Sequence, residues 1–378
     1  MAMKVLIGIS CLLEGGTEIQ TLSLAKALLK GGYDVKVVCY FEHTTQMVKR
    51  YEEFGIDVFC LNPDGIRPTG IRKMALNLWR GLKRVLREVR PDAVHIQYMT
   101  PGALAAMIFK ALGVEKVIAT SHTSADIYSG GGIKAIRLLS RYLLSGFQCI
   151  SLAAEESYFG TSTYFSGKLL RHFTIYNALP EHITIREREE TESKNVLTIG
   201  VVSRLEEIKG MDLVIPAFKK VLRKYQDIRL VIAGDGSLRK RMESDAEDSG
   251  IKEKVLFLGR IAQEKLNEVY DSIDILLVPS RSEGFGLTAL EGMARGCVPV
   301  VANTGGLPEV TGDCGLSHCV DNVESISATL DKLIDNRGKL RDLSHRATER
   351  ARIFSIENYN RSIIELYQSL LKTNGRDN

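Results

Sequence analysis

The chain has no run of the roughly 18 apolar residues that a membrane-crossing helix needs, so no segment is expected to span a bilayer. Lys4 and the apolar stretch behind it begin like a secretory leader. They run into Glu14-Gly15-Gly16 without a small-residue cleavage site and read instead as a first β-strand. Low-complexity tracts are missing, and with 44% hydrophobic and 25% charged residues the composition excludes a disordered or collagen-like chain. Neither G-x-G-x-x-G nor G-x-x-x-x-G-K-[ST] occurs, which weakens a dehydrogenase or P-loop reading. A CxxC pair is also absent. The seven cysteines (Cys11, Cys39, Cys60, Cys149, Cys297, Cys314, Cys319) are odd in number, dispersed and mostly inside apolar runs, the pattern of reduced, buried thiols in a cytosolic protein. Cys314, His318 and Cys319 lie close in sequence but lack a convincing fourth ligand, so no metal is expected there.

Strong charge of one sign is lacking too. The formal net charge, 50 − 46 = +4, does not by itself argue for nucleic acid. Its distribution is uneven: residues 1–180 give 21 − 14 = +7 and residues 181–378 give 29 − 32 = −3. An anionic partner of the surface is therefore expected on the first half.

What is present is alternation. A length of 378 residues favours two domains. Val5–Ser10, Tyr33–Tyr40, Ile56–Leu61, Ala93–Tyr98, Lys116–Ser121 and Phe147–Ser151 read as short buried strands separated by helical periodicity. Glu181–Asn195 is charged and without apolar rhythm, the best linker candidate. A second series follows: Val196–Ser203, Arg229–Ala233, Lys254–Leu258, Ile273–Val278 and Val298–Ala302. Continuously apolar strands between helices imply parallel sheets covered on both faces. The expectation is two tandem Rossmann-like, doubly wound α/β domains facing a central cleft: residues 1–180 and 196–355, joined by 181–195. An amphipathic segment, Ile356–Leu371, lies beyond the last strand with Tyr359, Ile363, Tyr367, Leu370 and Leu371 on one face.

Ligands of such sheets bind beyond the carboxyl ends of the strands, so chemistry is sought in those loops. After the first strand come Gly15-Gly16-Thr17-Glu18. Thr17 is placed to cap the next helix and Gln20 to complete a capping box. The two glycines either let backbone amides approach an anion or serve a turn at positive φ. Arg204 and Lys209 flank the end of the second domain's first strand, where a guanidinium fork and an ammonium can both meet phosphate. The most specific stretch is Pro279-Ser280-Arg281-Ser282-Glu283-Gly284-Phe285-Gly286-Leu287, running into a helix that carries Glu291. Amides near Phe285, Gly286 and Leu287 form a second candidate anion nest. Glu283 and Glu291 suit either a ribose-holding carboxylate or a hydrolytic acid/base pair, and spacing alone does not choose between them.

Glu283 and Glu291 together match an E-x7-E motif, and the chain resembles the retaining GT-B glycosyltransferases of family 4 over nearly its whole length. The resemblance includes Gly15-Gly16-Thr17-Glu18, Arg204 with Lys209, Gly234-Asp235-Gly236, Pro279-Ser280 leading into Glu283-Gly284-Phe285-Gly286, Gly305-Gly306-Leu307-Pro308-Glu309, and Phe354-Ser355 before the last helix. It implies that Arg204 and Lys209 hold the diphosphate of a nucleotide sugar, UDP- or GDP-linked. Glu291 would bind the ribose, and Glu283, with the amides of Phe285, Gly286 and Leu287, the transferred sugar. His122 would stand near that sugar, Gly15 and Gly16 near the phosphates, and Arg260 where the base lies. It further implies that residues 356–378 cross back to the first domain. The chain carries no Asp-x-Asp pair, in keeping with a metal-independent site. It departs from the family pattern at Ile19, where many relatives have Arg, and at Asn177-Ala178, where Asn-Gly is usual. Two other classes stay open: a sugar-nucleotide hydrolase or epimerase of the same fold, and a non-catalytic sugar-nucleotide binder.

The acceptor is least legible. Ile71–Val89 is apolar at helical spacing, with Arg72, Lys73, Arg80, Lys83, Arg84 and Arg87 between. With Trp79 it resembles a helix that lies on anionic membrane, at the inner, cytoplasmic face of the membrane. The plainer reading, a helix covering the sheet with its cations solvated, is preferred, because every doubly wound domain needs such helices. Lys134, Arg137 and Arg141 keep a lipid-linked acceptor in view beside a glycan; no nucleic acid is expected.

Overall fold

A computed structural model of the chain describes residues 2–13, 15–97, 102–188 and 196–372. Glu14, Tyr98, residues 189–195 of the expected linker and the side chain of Leu371 lie outside the described residues. The chain divides into two compact units, Met1–Ala178 with Ile356–Asn378, and Leu179–Ser355.

In the first unit β1 (Lys4–Ile9), β2 (Asp34–Cys39), β3 (Asp57–Cys60), β4 (Ala93–Gln97), β5 (Val117–Ser121), β6 (Gly146–Cys149) and β7 (His172–Thr174) form one sheet. Their order is β3-β2-β1-β4-β5-β6-β7, and all neighbours run parallel. Helices α1 (Gly16–Lys30), α2 (Thr45–Glu52), α3 (Ile71–Val89), α4 (Gly102–Ala111), α5 (Gly130–Tyr142) and α6 (Leu152–Phe159) connect them. β-branched runs such as Val35, Val37 and Val38 suit strands buried on both faces, and β1 is buried from Val5 to Ile9. On one face α1, α2 and the chain's last helix, Ile356–Lys372, pack against Val5, Ile7 and Ile9; on the other α3 to α6 pack against Leu6, Val94 and Val117.

The second unit repeats the plan. Strands β8 (Leu197–Val202), β9 (Ile228–Ala233), β10 (Val255–Gly259), β11 (Ile275–Val278), β12 (Val298–Ala302) and β13 (Leu316–His318) are ordered β10-β9-β8-β11-β12-β13, again all parallel. Its helices are α7 (Val214–Leu222), α8 (Arg239–Asp248), α9 (Leu266–Asp271), α10 (Leu287–Ala294), α11 (Leu307–Thr311), α12 (Val323–Ile334) and α13 (Arg337–Ala351); the last helix is α14 (Ile356–Lys372). In each sheet the strand order reverses beside the first strand, at β1/β4 and at β8/β11, and these reversals open crevices for ligands.

Two local expectations, on the capping box and the cysteines, are corrected. The capping box does not form: α1 starts at Gly16, its N-cap Gly15 offers no side chain, and Thr17 lies inside the helix. Gln20 instead donates Nε2 to the Ala178 carbonyl (2.8 Å) and accepts the Ala178 amide (3.1 Å). The described part of the linker packs on the second unit. Arg188 donates to the Arg295 carbonyl (3.1 Å) and to Asp274 (3.0 Å), and the Arg186 amide to the Ala294 carbonyl (2.8 Å). Arg186 and Arg188 are thus partnered, Arg186 also pairing with Asp271 at 3.1 Å. Finally, none of the seven cysteines forms a disulfide among the described residues, but Cys319 is exposed and Cys11 and Cys60 are half-buried.

Candidate functional site

At the β8/β11 reversal two loops meet backbone to backbone. Gly210, at φ 67°, lies so close to the Pro279 carbonyl that any side chain would collide with it. The Arg281 amide donates to the Ile208 carbonyl (2.9 Å), and the Arg281 guanidinium forks onto Asp212 at 2.7 and 2.8 Å while also reaching Asp321 at 2.6 Å. Arg281 and Asp212 are both partly buried, and the guanidinium holds the Asp212 carboxyl below its usual range. This clasp fixes the loop after β8 against the loop after β11.

On that frame Lys209 Nζ meets Glu283 Oε2 at 2.6 Å, both side chains about one-fifth exposed, and Ser280 Oγ donates to the same oxygen at 3.4 Å. The ammonium therefore sits where β8 ends and the carboxylate where β11 ends. Arg204 is exposed at the start of the first loop, where its charge also acts on the Glu206 carboxyl. Gly286, at φ 107°, caps α10, so the amides of Leu287 and the residues behind it head the helix without intrahelical acceptors. One turn in, half-buried Glu291 accepts the Tyr270 hydroxyl at 2.7 Å. Burial pushes the Glu291 carboxyl up to about 7, while the Tyr270 hydroxyl pulls the other way. Phe285 is buried, and Arg260 is exposed just past β10. A cation pair, a helix head and a carboxylate able to accept hydroxyls can together hold a diphosphate and a polyol.

The first unit holds its own candidates at the β1/β4 reversal. Gly15 adopts φ −138° and neither it nor Gly16 takes positive φ, so the turn explanation for this pair is set aside. A side chain on Gly15 would instead meet the Glu18 carboxylate at 2.6 Å. His122, just past β5, hydrogen-bonds through Nε2 to Gln97 Oε1 at the end of β4 (2.6 Å); burial holds its imidazole down at about 3, hence neutral. Gln97, Tyr270, Arg281 and Asp212 escaped the sequence reading. Arg281 sits inside the most specific motif, but nothing in its spacing announces partners 69 and 40 residues away. Cys314, His318 and Cys319 form no metal-holding group among the described residues: Cys314 Sγ donates to the Thr311 carbonyl and His318 Nδ1 bonds the Cys319 carbonyl.

The family model for glycosyl transferases group 1 matches residues 183–352, and that for glycosyl transferase 4-like proteins matches residues 10–153. A GDP-mannose-dependent monoacylated alpha-(1-6)-phosphatidylinositol monomannoside mannosyltransferase of Corynebacterium glutamicum is 30% identical over 280 residues, 68% of this chain and 70% of that one. The chain is a family 4 glycosyltransferase. This glycosyltransferase is also 25% identical, over 92% of each chain, to N-acetyl-alpha-D-glucosaminyl L-malate synthase of Bacillus anthracis. Its GT-B fold matches that of Anabaena HepE, solved in complex with UDP-glucose, with a TM-score of 0.78 at 19% identity over 97% of this chain and 100% of that one.

Proposed function

We propose that the enzyme transfers a sugar from a nucleotide-diphosphate donor to a glycan or lipid-linked acceptor, with retention at the anomeric carbon and without a metal ion. The observation that carries this is the Lys209–Glu283 pair of 2.6 Å at the β8/β11 reversal, beside the head of α10. The bond from the anomeric carbon to the diphosphate breaks and a bond to the acceptor oxygen forms on the same face. The acceptor proton passes to the departing phosphate oxygen. Charge grows on the diphosphate as it leaves. Arg204, Lys209 and the head of α10 are assigned to stabilise it, the largest contribution expected in such a site. Glu291 is assigned to the ribose, Arg260 to the base, and Glu283, with the amides of Phe285, Gly286 and Leu287, and His122 to the transferred sugar; Gly15 and Gly16 are assigned to leave room for the phosphates. A neutral His122 suits hydrogen bonding to sugar hydroxyls at ordinary pH. The base stays open between uridine and guanosine, since HepE holds UDP-glucose and the corynebacterial relative is named for GDP-mannose.

The test is a thermal-shift titration with UDP, GDP, ADP and their sugar conjugates, beside Arg204→Ala and Glu291→Ala. At about 100 times its dissociation constant a ligand adds about 2.7 kcal/mol to stability. One nucleotide should shift the native protein and neither variant. Equal shifts in all three proteins would remove these residues from the donor site.

A further inference from the structure

The two faces of the first unit's sheet differ in charge. Over α3, α4 and α5, all on one face, ten cations stand against one acid, Glu88. The fourth helix there, α6, adds Glu156 and a Glu155 buried against His172. On the opposite face α1, α2 and α14 carry six cations and four acids. The cationic face is not merely polar. Ile71, Leu76 and Trp79 of α3 are exposed, as are Met107 of α4 and Leu138 and Tyr142 of α5. The inner side of α3 is fully used: Leu78, Leu82, Val85 and Val89 are buried in the core, so the outward apolar residues are surplus to folding. Leu76 and Trp79 share a shallow surface hollow with Arg80, Lys83, Arg84 and Arg87. Large apolar side chains grouped with cations on one face mark an interaction surface.

From this we infer that the α3–α5 face docks on an anionic lipid surface, with Trp79 and Leu76 entering the headgroup region while Arg80, Lys83, Arg84 and Arg87 meet lipid phosphates. A polyanion such as RNA would satisfy the cations but offer nothing to Leu76, Met107 and Leu138, so a bilayer, which has both charge and apolar depth, fits the whole pattern. The inference deepens the lipid-linked acceptor reading and rests on it only for its biological sense; docking itself needs no donor chemistry.

Trp79 is the only tryptophan of the chain, so its emission reports insertion directly. The experiment adds phosphatidylcholine vesicles, with and without phosphatidylglycerol, to the 378-residue chain and reads Trp79 emission and co-sedimentation. Anionic vesicles should shift the emission to the blue and pellet the protein, neutral ones should do neither, and salt should reverse the effect. Lys83→Glu with Arg84→Glu should weaken vesicle partition about thirty-fold or more, at about a factor of five per cation lost. Leu76→Ser should weaken it several-fold while leaving the charge intact. Both variants alter exposed side chains and should keep the native melting temperature and the nucleotide-induced thermal shift, so failed docking is distinguishable from a failed donor site. Absence of any emission shift with anionic vesicles overturns the inference. So does tight binding of polyuridylate with vesicles ignored, or partition unaffected by Leu76→Ser.

Discussion

Glu291 carries a carboxyl that burial has raised to about 7, next to a tyrosine hydroxyl that already donates to it. A carboxylate that is to accept ribose hydroxyls must be ionised, so nucleotide affinity should rise with pH through this range, about ten-fold from one unit below to one unit above. Calorimetric titration across that interval checks it, with Glu291→Gln supplying the nucleotide's own phosphate titration as the baseline. The variant should bind more weakly and lose this part of the pH dependence. The same shift has a stability consequence. A carboxyl raised from its ordinary 4.5 stabilises the fold fully only below that value and loses the contribution as pH rises through about 7. Free of ligand at neutral to mildly alkaline pH, Glu291→Gln should therefore be more stable than the native protein, by roughly 1–3 kcal/mol, while binding nucleotide less well. Chemical denaturation at two pH values measures it. At this scale the sequence was informative about identity and silent about environment. The eight-residue interval between Glu283 and Glu291 is legible, as are Arg204 and Lys209; that Glu291 leans on Tyr270 from α9 is a product of tertiary packing.

Between elements, Arg281 is the joint. Its amide bonds the Ile208 carbonyl, its side chain holds Asp212 and Asp321, and between these contacts the loops after β8 and β11 keep Lys209 within 2.6 Å of Glu283. Arg281→Ala should raise the donor KM by ten-fold or more while costing only about 1.5–3 kcal/mol of stability, the range for hydrogen bonds to charged groups. Arg281→Lys keeps the charge without the fork and should recover stability better than it recovers KM. Equal losses of both in the two variants would make the contact structural only. A second joint lies in the first unit, where fully buried His95 on β4 bonds Thr120 of β5 at 2.7 Å and Tyr367 of α14 at 3.0 Å. Burial, with a smaller contribution from neighbouring His122, holds His95 at about 3. In the unfolded chain it protonates near 6.5, so its stabilisation is present above that pH and is lost as pH falls toward 3. At pH 5 the loss is about 2 kcal/mol from His95 alone, and a non-titrating His95→Gln should flatten the decline in urea midpoint between pH 7 and 5. Elements themselves were legible where they are long and periodic. β7 and β13, three residues each, carry too few apolar positions to be seen in sequence, and the Thr17–Gln20 capping pattern was overridden because Gln20 is spent on the Ala178 backbone.

For the molecule as a whole, the decisive feature is that the first unit is not contiguous. The chain leaves it at Ala178 and returns at Ile356, after the whole second unit. The return is a single helix, α14, whose Tyr359, Ile363, Leu366, Tyr367 and Leu370 are buried with α1 and the sheet. Each such side chain contributes about 1.5–3 kcal/mol by leaving water, so the five together amount to about 10 kcal/mol. That equals the whole net stability of an ordinary domain. Ending the chain after Ser355 should therefore unfold the first unit even though every residue of its sheet is still present, and should expose apolar surface on α1 and β1 that drives aggregation. The second unit, contiguous from Leu179 to Ser355 with its own core, should survive the same cut. Hydrogen exchange separates the two outcomes: amides of β1 to β7 should lose protection while those of β8 to β13 keep it. If the donor residues of the second unit suffice for binding, the truncated chain should still show a nucleotide-dependent thermal shift in its remaining transition. Protection retained across β1 to β7 would mean that α14 merely decorates a first unit already stable on its own.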